Sequence, residues 1–410
     1  MISYQEALDI IINNAKLLAT ECMSLDKSLG RICADSVTSS MMVPSFTNSA
    51  MDGFAVCAHA TLLATSTNPV LLKINDIIAA GDNKEVSDAD AVEIMTGARV
   101  PDQFDSVIPI EDVEVNRDTN SILITRPVKL HTNIRFPGED FQSKDLIAAS
   151  GTMINPQHIM AFAATGISTL EVRNSPVVTV ISTGQEIVDN QGATLLDSQI
   201  YNSNSPYLLA ELASIGVNCS YGGIVGDTND SFIAVLKASA ASDIIITTGA
   251  VSKGRWDFIP DSLKEFGAKI LFHKINIRPG KPILFAILPN GTYFFGLPGN
   301  PASAAVGLRF LVMPLIRAIL GLAPEKPMQA QLLKAFTKKG PFRHFLKANI
   351  QQNKQGMMQL DILDGQESFK ISPLLQANVW AVASEEKNEY TQGEMMDVFP
   401  MSLTNWIGHE

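Results

Sequence analysis

The stretch Val177-Val178-Thr179-Val180-Ile181-Ser182-Thr183-Gly184-Gln185-Glu186 sets a pattern that the following hundred residues repeat: an apolar strand, a small-residue turn, an acid. Apolar runs at Val177–Ser182, Val217–Val225, Asp243–Thr248 and Ile270–Ile275 alternate with helical stretches at Pro206–Ile215, Asp230–Ala241 and Ile259–Phe266. This alternation predicts βαβ units and a mostly parallel sheet, because a parallel pair needs a crossover long enough to hold a helix. Pro289-Asn290-Gly291, between Ile283–Leu288 and Tyr293–Phe295, reads as a hairpin turn. A long helix follows from about Ala302 to Leu320, closed by Gly321 and Pro324.

Ligands of open parallel sheets bind beyond the carboxyl ends of the strands. Here those ends carry Thr183-Gly184-Gln185-Glu186, Gly226-Asp227, and the loop from Thr248-Gly249-Ala250 through Ser252, Lys253 and Gly254 to Asp257. Glycines let backbone amides approach a phosphate or similar oxyanion, and separated carboxylates suit Mg²⁺, a hard cation. One acid after a strand is more often a helix cap, a role that fits Asp230 better than Asp227. Three such acids on one edge, Glu186, Asp227 and Asp257, predict an anion- and metal-handling site. Cations follow in a stretch without acids: His273, Lys274, Arg278 and Lys281. Lys274 fits a solvated strand edge, whereas the Arg278-Pro279-Gly280-Lys281-Pro282 turn fixes how its cations are presented. Pro298-Gly299-Asn300-Pro301-Ala302-Ser303 leads into a helix N-terminus, a natural anion seat.

Outward from this region, 410 residues suffice for several cores. The expected architecture is α/β multidomain. A helical N-terminal region (1–43 with 141–175) carries an inserted β-rich lobe (44–140). A central α/β domain with a mostly parallel sheet (176–326) and a small C-terminal β domain (327–410) follow. Ser3 and Glu6 form a capping box for an amphipathic first helix with Ala7, Ile10, Ile11 and Leu18 on one face. A net charge of −11 argues against a nucleic-acid or anionic-membrane surface. The apolar run Leu308 to Ala323, broken by Arg309, Arg317 and Pro314, reads as too short and polar for a bilayer. The N-terminus has no signal-peptide pattern. Four scattered cysteines, none at C-x-x-C spacing, suit reduced, mostly buried thiols in a cytoplasmic protein. No zinc-hydrolase, Walker A or nucleophile-elbow motif occurs.

Together with Pro44-Ser45-Phe46-Thr47-Asn48-Ser49-Ala50-Met51-Asp52-Gly53-Phe54-Ala55-Val56, Met95-Thr96-Gly97-Ala98, Asn133-Ile134-Arg135 and Gly138-Glu139-Asp140, these motifs occur in a fixed order over nearly the whole chain. In that order they resemble the molybdopterin molybdenumtransferase family, which includes the E domain of gephyrin. The resemblance implies a molybdopterin-binding fold, a C-terminal barrel-like domain and a homodimer whose cleft is shared between subunits. It implies insertion of molybdate into adenylylated molybdopterin, a small anionic substrate, with Mg²⁺-dependent release of AMP. Glu186, Asp227 and Asp257 would serve the metal and the adenylyl phosphate. Lys274, Arg278, Pro298 and Asn300 would contact substrate, as would Asp52, Thr96, Arg135 and Asp140 of the inserted lobe. Ser252, Lys281, Ser303, Lys347 and Ser368 would line the molybdate pocket. Molybdopterin adenylyltransferase and apo-molybdoenzymes or their chaperones would be the protein partners. Adenylyl transfer itself, or an idle scaffold, are the alternative functions. Ala250, Lys253, Lys347 and Glu367 depart from the family pattern, where a second Gly, an apolar residue, an Arg and a small residue are usual. Lys253 is expected to add charge that partly offsets Glu367.

Overall fold

Val177–Thr183 (β1) is buried at every position after the first, as a strand covered on both faces requires. The structure, a computed structural model, describes residues 1–226, 228–250 and 258–401. After β1 come Asn218–Val225 (β2), Ile244–Thr248 (β3), Lys269–His273 (β4), Leu284–Ile287 (β5) and Tyr293–Leu297 (β6). Their order across the sheet is β2-β1-β3-β6-β5-β4. The β2–β1, β1–β3 and β3–β6 pairs are parallel, and β6–β5 and β5–β4 are antiparallel. The run at 270–275 therefore does not continue the parallel alternation. The tight turn at Pro289-Asn290-Gly291 folds β6 back on β5, and β4 closes the antiparallel edge beside it.

The described residues form six helices, Tyr4–Asn14 (α1), Pro156–Ala164 (α2), Asn204–Ser214 (α3), Asn229–Ala238 (α4), Ile259–Glu265 (α5) and Pro301–Leu320 (α6), and all but α2 pack on this sheet. One face packs Ala7 and Ile11 of α1, Leu208 and Leu212 of α3, and most of α6. The other packs Phe232 and Leu236 of α4 with Ile259 and Leu263 of α5. Ser3 and Glu6 form the expected reciprocal cap. The helix ends at Asn14, however, and Thr20–Ser24 is a strand paired with Thr169–Arg173. The chain segment 141–175 thus returns onto residues 20–38, and α2 packs there rather than on α1.

By length and composition α6 could cross a membrane, so its brevity does not exclude this; its burial decides, since 78% of it lies inside the protein. It is a core helix. Gly307 allows it to lie against β6, because a Cβ there would sit 2.6 Å from Leu297 Cδ2. The turn Leu308–Val312 widens to π geometry just ahead of Pro314, whose missing N–H cannot join an α ladder. Arg309, 5% exposed, pairs through two nitrogens with Glu325 at 2.7 and 2.6 Å and donates to the Pro400 carbonyl. All four cysteines are free, and against expectation only Cys33 is buried.

The C-terminal strands Met328–Leu332 (β7), Arg343–Gln352 (β8), Met358–Ile362 (β9), Val379–Ala383 (β10) and Met395–Pro400 (β11) close in the order β8-β9-β7-β11-β10-β8. A closed five-stranded barrel leaves no free edge among these strands. The inserted lobe is a six-stranded sheet with two small cores. Gly53 in it is required by close approach, since a Cβ there would stand 2.0 Å from the Ile108 carbonyl oxygen.

His344 of β8 is buried, and its Nε2 has no partner. Burial, reinforced by Lys338 and Arg278, lowers its pKa from 6.5 to about 4. The unfolded chain takes up this proton near pH 6.5 while the folded chain resists it. The stability is thus fully present above pH 6.5 and lost as the pH falls towards 4. Wild type is expected to lose more of its melting temperature between pH 7 and pH 4.5 than His344→Leu does, and equal losses would contradict this assignment.

Candidate active site

The carboxyl ends of β1, β3 and β6 meet at the point where the strand order reverses, with β1 flanked by β2 on one side and β3 on the other. A cavity of about 970 Å³ opens there. The sheet and the loops at its strand ends contribute Thr183, Glu186 and Gly249, and the start of α6 contributes Ser303; the turn 278–282 and a barrel loop at 366–371 form the facing walls.

Glu186 lies on an excursion that leaves β1 at Gly184 and returns at Asn202. Gly184 has φ +135°, and a Cβ there would sit 2.7 Å from the Glu186 carboxylate, so only glycine lets the side chain fold back. Ile187–Val188 pairs in parallel with Ile200–Tyr201, and Ile200 N–H donates to the Glu186 carbonyl at 2.9 Å. Asp189 fastens the excursion to the sheet. Its carboxylate accepts from the Tyr221 hydroxyl of β2, 2.9 Å from each oxygen, and from Asn202 Nδ2 at 2.8 Å. Asn202 also reaches Ser182 Oγ, and its Oδ1 accepts the Ser205 N–H at the start of α3. Burial, with Asp189 accepting the bond, pushes the Tyr221 hydroxyl up to about 12.

Gly249 (φ +96°) ends β3 against β1; a Cβ there would meet the Thr183 carbonyl oxygen at 2.6 Å. Ala250 then adopts φ +49°. A left-handed conformation costs an L-residue roughly 1–2 kcal/mol, so this departure from a second glycine has a physical cost.

The cationic turn is built from three parts of the chain. Ile277–Arg278 pairs in parallel with Arg343–His344 of β8, and Asn276 Nδ2 donates to the Pro341 carbonyl at 2.6 Å. Asn276 N–H donates to the Ile2 carbonyl, and Ile275 N–H to Lys281, closing the turn. Arg278 and Lys281 are exposed to the cavity they line. Lys281 Nζ also stands 5.6 Å over the Phe342 ring. Lys274 has φ +80° and is not part of the lining.

The start of α6 corrects the sequence expectation of an open amide seat. Pro301 has no N–H; Ala302 N–H donates to the Ser368 carbonyl, and Ser303 and Ala304 both donate to the Asn300 carbonyl, each at 3.0 Å. What remains for an anion is the helix dipole and the side chain of Ser303.

Glu186, Arg278, Lys281, Pro298, Asn300, Ser303 and Ser368 thus share one cavity. Lys347 does not line it and is buried inside the barrel. Asp52, Thr96, Arg135 and Asp140 stand exposed on the inserted lobe, away from this cavity. There Thr96 holds Asp52 through its N–H (2.6 Å) and hydroxyl (2.8 Å), which lowers the carboxyl pKa. Asp227, Ser252, Lys253 and Asp257 lie outside the described residues. Glu367, which Lys253 was expected to offset, is paired with Lys370 at 3.1 Å.

The comparisons with known proteins match three stretches of the chain. Residues 2–166 match the MoeA N-terminal region (domain I and II), 179–318 a probable molybdopterin binding domain, and 329–401 the MoeA C-terminal region (domain IV). The molybdopterin molybdenumtransferase of Staphylococcus aureus (strain COL) is 35% identical over 352 residues, 85% of this chain and 83% of the relative. The chain belongs to the molybdopterin molybdenumtransferase family. The family's member from Bacillus subtilis (strain 168) is 33% identical over 97% of this chain and 93% of its own length. The crystal structure of the molybdopterin biosynthesis MoeA protein of Pyrococcus horikosii superposes with a TM-score of 0.83 at 28% identity, covering 98% of this chain and 99% of that one.

Sequence reasoning missed the Asp189–Asn202–Tyr221 brace. The polar triplet Asn202-Ser203-Asn204 ahead of a helix was its one visible signal, and Tyr221 on the neighbouring strand carried none. A hydrogen bond to a charged group contributes about 1.5–3 kcal/mol, nearer 1 where half-exposed as here. Tyr221→Phe is therefore expected to raise amide exchange of residues 187–189 and 200–202 roughly fivefold. Unchanged exchange would show that the brace does not hold the Glu186 excursion.

Proposed function

We propose that this cavity is where molybdate is inserted into adenylylated molybdopterin with release of AMP. Family membership places the chain in molybdenum cofactor biosynthesis as a transferase. The observation that carries the finer reading is the cavity's division. The acid Glu186 stands on the sheet edge and the cations Arg278 and Lys281 stand on the facing turn, while the other acid of the lining, Glu367, is paired with Lys370. An adenylylated molybdopterin bears a phosphoanhydride and a molybdate beside it brings further negative charge, so such a substrate pair needs cations fixed in advance.

In this reading Arg278 and Lys281 neutralise charge that develops as the phosphoanhydride breaks, and the donors cost no reorganisation because the turn is held by backbone pairing. Ser303 and Ser368 supply hydroxyls to the tetrahedral oxyanion, joined by Ser252. Pro298 and Asn300 shape the substrate wall. Glu186 offers hard oxygen donors at the cavity, which fits Mg²⁺; with Asp227 and Asp257 it would hold the ion, and a bound Mg²⁺ supplies charge neutralisation at the phosphates. Among the described residues no group of three His, Cys, Asp or Glu could hold a metal ion, and Asp227 and Asp257 lie outside them.

Asp52, Thr96, Arg135 and Asp140 do not reach the cavity of their own chain. The lobe of a second copy, in a homodimer, would bring them to it. Molybdopterin adenylyltransferase would supply the substrate, and apo-molybdoenzymes or their chaperones would take the product.

A turnover assay with adenylylated molybdopterin, molybdate and Mg²⁺ tests this reading. Wild type is expected to release AMP, and Glu186→Gln to lower kcat by roughly 10²–10³-fold, the scale for losing a preorganised electrostatic group. Release of pyrophosphate from ATP, or an unchanged rate for Glu186→Gln, would contradict it.

A further inference from the structure

Lys347 sits in the middle of β8 and is 1% exposed. Its ammonium donates to two backbone carbonyls of the barrel loop, Glu367 at 3.1 Å and Lys370 at 3.3 Å. Its main chain is held by the same loop. The Lys347 N–H donates to Gln366 Oε1 at 3.0 Å, Gln366 Nε2 returns a bond to the Lys347 carbonyl at 2.8 Å, and that carbonyl also accepts the Leu363 N–H. The Glu367 carboxylate is turned to Lys370. Among the described residues no carboxylate is in salt-bridge contact with Lys347; burial lowers the lysine's pKa, and the nearby charge of Glu367 opposes that shift.

The loop held this way has a second anchor across the cavity, where the Ser368 carbonyl accepts the Ala302 N–H of α6. Between the anchors Gln366, Glu367, Ser368 and Phe369 line the cavity, and Phe369 is 63% exposed. A buried ammonium without a direct ion pair is costly, and the hydrogen bonds that offset the cost also fix the groups that accept them. Here both of its acceptors are main-chain carbonyls flanking Ser368 and Phe369. Drawing those two carbonyls into the barrel leaves the residues between them at the cavity wall.

We propose that Lys347 is a positioning residue for the oxyanion seat: it holds the Gln366–Lys370 loop so that Ser368 and Phe369 form the cavity wall, and it does not contact the anion. The proposal rests on the oxyanion reading of the cavity given above. It replaces the ligand role that the resemblance implies for this position, because the buried Nζ is already committed to the two carbonyls.

The test combines amide exchange of residues 363–371 without any anion and steady-state AMP release at varied molybdate. Lys347→Met is expected to speed exchange of that loop at least tenfold and to raise KM for molybdate about tenfold, with kcat changed less than threefold. Lys347→Arg, which keeps the donors, is expected to restore most of the protection. Gln366→Leu removes the loop's other tie without touching the charge and is expected to shift exchange and KM the same way, so the proposal stays testable if Lys347→Met does not fold. A raised KM with unchanged loop exchange would make Lys347 a direct ligand and overturn the proposal. Faster exchange with unchanged KM would overturn it as well, because the loop would then be no part of the seat. Absence of molybdate-dependent AMP release by wild type would instead reject the oxyanion reading, while the exchange arm would still report whether Lys347 holds the loop.

Discussion

The cationic wall of the cavity belongs to no single domain. Ile277 and Arg278 follow β4 of the α/β sheet, yet they form their ladder with Arg343 and His344 of the barrel, and the preceding Asn276 is bonded to Ile2 at the chain's start and to Pro341. Arg278 and Lys281 are placed only when three remote parts of the sequence are folded together. Exposed cations on long side chains are ordinarily loose and well screened. A backbone pinned on three sides limits where these two can point, and that constraint turns surface charge into a site.

Opposite this wall the sheet edge is equally determined by close contacts. Gly184 makes room for the Glu186 carboxylate, and Gly249 lets β3 approach the Thr183 carbonyl. The barrel loop closes the third side, bonded to Lys347 behind and to α6 in front. The core helix α6 therefore links sheet, cavity and barrel, with its first amides tied at the cavity and Arg309 tied to Glu325 and Pro400 further along. Movement of the barrel relative to the sheet would change the proposed anion seat and the cationic turn together.

Much of this was legible in the sequence. The strand-then-turn repeats placed Glu186, Gly249 and Ala250 at one edge, the Pro-Asn-Gly turn announced the hairpin, and Ser3 with Glu6 announced the first helix. What stayed hidden depends on partners distant in sequence. Nothing in the run around Lys347 says that its ammonium ends on carbonyls twenty residues away. The Ala302 amide looked open because the loop that caps it comes from another domain. The helical reading of residues 1–40 failed at Thr20–Ser24 because pairing with Thr169–Arg173 overrode local pattern. The run 270–275 looked like one more parallel strand because periodicity carries no direction.

In the proposed oxyanion seat the cationic turn, Ser303 and the barrel loop act as one unit. The most direct measurement is the crystal structure of the protein soaked with tungstate, located by its anomalous scattering. A single strong site is expected inside the cavity, between Lys281, Ser303 and Ser368 and clear of the Lys347 ammonium. Tungstate bound elsewhere on the chain, or a cavity that stays free of it at saturating concentration, would contradict it.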